Sequence, residues 1–129
     1  MSFQTDIAIL LFSDIALNLA VTGEFNFNQL SPNFNLSLSH IVFNYRETEG
    51  INTLMEQGVV QRYDFYIKVI SPVAETLLSI SDLVKEYLTD YKDDHFRKFK
   101  FISDDHQDGI IDETEVFENT MQFDITYFK

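Results

Sequence analysis

Residues 61–88 read QRYDFYIKVISPVAETLLSISDLVKEYL, and two hydrophobic periods meet inside them. Tyr63, Phe65, Ile67 and Val69 alternate with Arg62, Asp64, Tyr66 and Lys68. Successive side chains of an extended chain point to opposite faces, so this alternation predicts a strand with one apolar face. Ser71-Pro72 predicts a sharp stop and a helix start, with Ser71 as cap and Pro72 at the first helical position. Beyond it Val73, Leu77, Ile80, Val84, Tyr87 and Tyr91 recur at three- and four-residue spacing, broadened by Leu83 and Leu88. That spacing predicts an amphipathic helix.

The flanking segments extend this pattern. Thr5 is positioned to cap a first helix, with Asp6 in its favourable first turn. Ile7, Leu11, Ile15 and Leu19 lie on one stripe of it, while Leu10 and Phe12 make it apolar almost all round. Such a helix is usually buried on more than one side, and it is expected to end near Gly23. Residues 24–40 alternate Asn and Phe with Ser and Pro, which predicts a loop leading into a strand over residues 36–45. Residues 46–58, RETEGINTLMEQG, are polar and too long for a tight hairpin. Their apolar members Ile51, Leu54 and Met55 are candidate interface residues. Residues 95–102 predict a third strand, with Phe99 and Phe101 opposite Lys98 and Lys100. A fourth covers residues 120–128, with Met121, Phe123, Ile125 and Tyr127 facing in. The expected fold is α+β: one domain over residues 1–129, with a mainly antiparallel four-stranded sheet packed against two helices.

Composition narrows the function. Nine Lys and Arg against twenty-one Asp and Glu give a net charge of −12. Phosphates would be repelled, which argues against nucleic-acid binding by the free protein and against an anionic membrane surface. Residues 7–21 are apolar, but Asp14 and Asn18 interrupt them, no positive segment precedes them, and a span needs roughly 20 apolar residues. The stretch therefore reads as a buried helix. The absence of Cys removes disulfides, thiol nucleophiles and Cys-based zinc sites.

Residues 104–115, DDHQDGIIDETE, resemble a calcium loop. Asp104, Asp108, Asp112 and Glu115 fall at ligand positions one, five, nine and twelve of the EF-hand template, and Gly109 falls at position six. His106 stands where an oxygen ligand belongs. The flanking segments alternate with the period of strands, whereas the motif requires helices. The expected reading is a long acidic hairpin loop turning at Gly109, with at most a weak cation site. His40 lies in a strand, where a hydrogen-bonded, partly buried ring is expected. His95 and His106 flank the third strand and could approach each other or the acids, yet no H-x-x-x-H spacing exists. There is no G-x-S-x-G, P-loop or G-x-G-x-x-G. The paired acids 93–94, 104–105 and 112–113 read as solvated charge. No cofactor and no catalytic activity are expected.

Taken in order, the strand and helix of residues 62–88, a further strand pair and the closing strand ENTMQFDITYF resemble the core of bacteriophage tail-terminator (tail-completion) proteins of long-tailed phages. The likeness covers roughly residues 60–128 and is one of pattern and order. Neck proteins that join head to tail share the same size and helix-sheet mixture. The resemblance implies a structural virion protein without an active site. It would form a ring, usually a hexamer, on the end of the tail tube, stop its polymerisation and offer a surface to the head. Its partners would be further copies of itself, the tail-tube protein and a head-tail joining protein. DNA would pass through without specific binding, and an acidic lumen would keep phosphates from sticking. The place implied is the virion's head-tail junction, with assembly in the bacterial host's cytoplasm and no membrane contact. Two other classes stay open: an acidic monomeric or dimeric binding module that mimics nucleic acid, and a cation-regulated protein using residues 104–115.

The strand-like flanks of residues 104–115 predict no tight Ca²⁺ binding. Calorimetry should register no heat in the micromolar range. A micromolar signal abolished by Glu115→Gln would restore the calcium-loop reading.

Overall fold

The structure, a computed structural model, describes residues 2–48 and 60–128. Among these it contains α1 (Phe3–Ser13), α2 (Ile15–Ala20), β1 (Phe25–Phe27), β2 (His40–Glu47), β3 (Val60–Ser71), α3 (Ala74–Leu88), β4 (Phe96–Ile111) and β5 (Thr114–Phe128). The strands form one mixed sheet in the order β1-β2-β3-β5-β4. All its pairings are antiparallel except β1 with β2, which is parallel. The chain thus leaves β3, crosses through α3 to β4, and returns as β5 into the gap between them.

This corrects the four-stranded, two-helix expectation in two places. β1 arises inside residues 24–40, which read as loop because three residues are too few to display a period. It is held by rings and by backbone bonds. Phe25 and Phe27 pack on Phe43 at centroid distances of 6.1 and 5.6 Å. The β2 strand exchanges Ile41 N–H to Glu24 O (2.9 Å) and accepts Asn28 N–H at Phe43 O (2.8 Å). Gly23 lets this strand approach: a Cβ there would collide with the His40 ring and with Ser39 O.

The second correction concerns the N-terminal helix. It breaks at Asp14, whose backbone is extended and whose carboxylate accepts Leu17 N–H (3.3 Å) as the cap of α2. Asn18 Nδ2 donates to Leu11 O (3.1 Å), a carbonyl left near the end of α1 by the break, and to Asp14 O (2.8 Å), which also accepts Asn18 N–H (3.1 Å). Ile7 and Leu11 are buried as expected, but Ile15 and Leu19 are turned into solvent. The caps also differ. Ser2, not Thr5, caps α1, its Oγ accepting Thr5 N–H (3.2 Å). Ser71 ends β3 and accepts Val73 N–H (3.2 Å), so α3 begins at Ala74, two residues past Pro72, with no side-chain cap.

The predicted apolar faces meet. Tyr63, Phe65, Ile67 and Val69 from β3 and Met121, Phe123, Ile125 and Tyr127 from β5 are buried against Leu77, Ile80, Val84 and Leu88 of α3. A bulge in β4 between Phe96 and Lys98 lets Phe96 and Phe99 both reach this core although they are three residues apart. α1 is tied to the sheet by Tyr127, whose hydroxyl donates to the buried Asp6 carboxylate. Burial first, and then the Asp6 carboxylate, raises the Tyr127 phenol. α1 is tied to α3 by Tyr87 Oη donating to Leu10 O (2.6 Å).

Leu77 is buried in this layer. Leu77→Asp should place an unpaired charge there and cost about 3 kcal/mol or more in urea or thermal unfolding. A variant that melts like the parent would show that the face is exposed.

Candidate interaction surfaces

The acidic stretch is a ribbon rather than a loop. β4 continues as strand through Ile111, and the reversal falls at Asp112 and Glu113. Both carry positive φ, 49° and 65°, as a two-residue hairpin turn demands. Gly109, the expected turning point, pairs with Val116 inside the ribbon. The alternation of residues 103–111 was hidden because the six residues Ser103 to Asp108 put polar side chains on both faces.

This geometry separates the candidate ligands. At about 3.3 Å per strand residue, Asp104 and Asp108 stand roughly 13 Å apart and Asp112 about twice as far. Among the described residues no group of three or more His, Cys, Asp or Glu is close enough to hold a metal ion. Asp104 is instead engaged by Lys85 of α3, Nζ to Oδ2 2.5 Å, with His106 Nε2 at 3.7 Å. The Lys85 hydrogen bond holds the Asp104 carboxyl below the usual range.

Two of the histidines are also used structurally. His40 is buried; its Nδ1 accepts Glu24 N–H (2.8 Å) and its Nε2 donates to Asn35 O (2.6 Å). Those two bonds fix one tautomer and pin the loop that carries β1. His95 Nδ1 bonds Phe128 O (2.9 Å). It lies just before β4, with His106 near the strand's far end, so the two do not meet. Asp93 caps the entry to β4: burial pushes its carboxyl up, but Phe96 and His95 N–H bonds outweigh this and hold it below the usual range.

β4 is an edge strand. Its first residues are covered, because Asp93 N–H donates to Phe96 O (2.9 Å) and Asp90 N–H to Phe99 O (3.0 Å). From Phe101 onward the edge carries Asp104, Asp105 and Asp108. Like charges on a long edge oppose its pairing with a second identical edge. The sheet face away from the helices carries the opposite sign in part. Arg46–Asp64 (2.8 Å), Arg62–Asp124 (3.1 Å), Lys98–Asp124 (3.3 Å) and Lys68–Glu118 (3.9 Å) lie across β2, β3, β5 and β4. Solvent-exposed pairs of this kind stabilise by no more than about 1 kcal/mol each, so they shape a surface more than they hold the fold.

The predicted interface residues Ile51, Leu54 and Met55 lie outside the described residues. The sequence reading missed several exposed large apolar residues of the described surface, among them Ile9 and Phe12 on α1 and Ile15 and Leu19 on α2. The signal was present in Asp14 and Asn18, read as interruptions of an apolar run and not as a cap and its support.

A carboxyl held low in the folded state stabilises above its unfolded pKa and loses that contribution as pH falls through the folded value. Asp104 should therefore titrate below an ordinary Asp by NMR, and Lys85→Met should move it back up. An Asp104 that titrates normally in the parent would remove the ion pair.

No family model matches the chain, and no curated protein does. Among solved structures, it is similar to a chain in the virion of a native gene transfer agent (GTA) particle. The TM-score is 0.72 at 14% sequence identity, over 99% of this chain and 96% of that one. The two chains share a fold across essentially their whole lengths.

Proposed function

We propose that this chain is a structural, non-enzymatic virion protein of a phage-like particle. The observation that carries this reading is the end-to-end likeness to a chain of a gene transfer agent virion. It is supported by how the chemically capable side chains are used. His40 and Asp93 hold loops, Asp6 anchors Tyr127, and Asp104 engages Lys85. Each is committed to a structural partner.

Within that class we favour a cap on the tail tube, assembled as a ring that ends tail polymerisation and receives the head. Ring closure requires each subunit to offer different surfaces to its two neighbours. The acidic β4–β5 ribbon and the outer sheet face, where cations and acids are paired, are two such different surfaces. A lumen lined by acids would also let DNA pass without adhesion. A head-tail neck protein is the companion reading, and phenotype separates them.

Particles made without this protein should carry tails of uncontrolled length; tails of normal length that fail to join heads would move the assignment to the neck. Normal tails joined normally to heads would sink both. Substituting Leu54 and Met55 together by Ser should reproduce the defect while the purified chain stays folded by circular dichroism. Normal particles from that variant would remove these residues from the interface.

A further inference from the structure

We propose that the outer edge of β4, over residues 101–111, is a docking site for an extended, basic segment of another protein, which adds to the sheet as a further strand. Among the described residues β4 pairs with β5 alone and ends the sheet. Its other side is bonded at Phe96 O and Phe99 O by the connection from α3, and beyond Phe99 no further backbone bond reaches it. From 102 to 110 every residue except Asp104 is exposed. Past the irregularity at 101–103, Ser103 to Ile111 match Gln122 to Thr114 residue for residue. This leaves a regular edge of about 30 Å. The N–H and C=O groups along it that point away from β5 form the pattern that an added strand matches group for group.

The edge is guarded selectively. Open edges are commonly blunted by Pro, Lys, a bulge, short length or a covering segment. Residues 103–111 contain no Pro and no Lys, and their ladder is unbroken. Negative charge is the device that remains. Residues 104–118 hold seven acids and no Lys or Arg. Asp104 is paired with Lys85. Asp105 and Asp108 have no cationic partner among the described residues, and their register puts them on opposite faces of the ribbon. Side chains of adjacent strands meet in pairs, so these carboxylates repel an acidic strand and attract a basic one.

Charge also selects among occupants. Nucleic acid and anionic lipid carry the wrong sign and offer no strand to pair. A second copy offers two edges. One is β1, with three residues and no base; the other is β4 itself, with the same acids. Arg97, Lys98 and Lys100, the one cluster of bases in the chain, stand at the start of β4, where the connection from α3 already occupies the edge. The occupant is therefore a foreign segment with Lys or Arg on both faces, able to meet Asp105 and Asp108 together. The ring proposed above concerns the side-chain surfaces of the ribbon. This inference concerns its backbone edge and stands if the chain enters no particle.

The probe is a short end-blocked peptide repeating Thr-Lys-Lys-Thr, which places Lys on both faces of a strand. It should bind the full chain and slow hydrogen exchange about tenfold or more at alternate amides within 101–111, while the amides of α3 stay as they were. Asp105→Asn with Asp108→Asn should leave the melting curve in place and weaken binding about tenfold or more. A Pro-Lys-Lys-Pro peptide has the same charge but lacks half of the N–H donors and resists the extended pairing geometry, so it should bind far more weakly. Three results would each overturn the proposal. The first is a basic peptide that protects no amide of 101–111. The second is equal binding of the Pro-containing peptide, which would reduce the contact to charge attraction. The third is protection of the same amides in the chain alone as its concentration rises, which would give the edge to a second copy.

Discussion

The register of β3 on β5 is the constraint on which the rest depends. Twelve consecutive residue pairs join them, from Val60 opposite Phe128 to Ser71 opposite Phe117. In this register Tyr63, Phe65 and Ile67 stand beside Ile125, Phe123 and Met121, and all six face the helices. Side chains alternate strictly along a strand, so a slip of one residue would turn either set into solvent and bring Arg62, Asp64 and Lys68 into the core. α3 can then cover only one face, and its buried stripe Leu77, Ile80, Val84 and Leu88 matches that face. The ion pairs on the opposite face follow from the same register, which places Arg62 beside Thr126 and within reach of Asp124.

Around this centre the chain manages its two sheet edges by different means. β1 ends one side with only three residues and a positive-φ Asn28 (76°), too short to recruit another strand. β4 ends the other side with sixteen residues, which would be an open template if apolar. Its first turn is capped by the α3–β4 connection, and the rest carries acids. The acidic stretch therefore has a physical role in the isolated chain, that of keeping a long edge from pairing with itself. The same charges leave the edge able to accept a surface of opposite sign.

Much of this was legible from residue order. The alternation of 61–70 and 120–128 and the helical stripe of 73–91 gave three of the elements and nearly all of the central core, because each buries one face over many residues. Three features escaped for identifiable reasons. β1 is too short for periodicity and is specified by non-local rings, Phe25 and Phe27 on Phe43. The break at Asp14 is local but depends on Asn18 reaching back to Leu11 O, a contact that spacing alone does not announce. The hairpin turn at Asp112 and Glu113 lacks the glycine that marks such turns, and the nearby Gly109 drew the turn to the wrong place. The interaction surfaces were the least legible. Cations on β2, β3 and β4 come together only through the sheet order, and the exposure of Ile15 and Leu19 is a consequence of the missed break.

The central proposal is that this fold serves a virion as a structural part. Its most direct test is location. Gold-labelled antibody against this chain, imaged by electron microscopy on purified particles, should mark one site per particle, at the head-proximal end of the tail. Purified particles that carry no label and contain no trace of the chain by mass spectrometry would contradict the account.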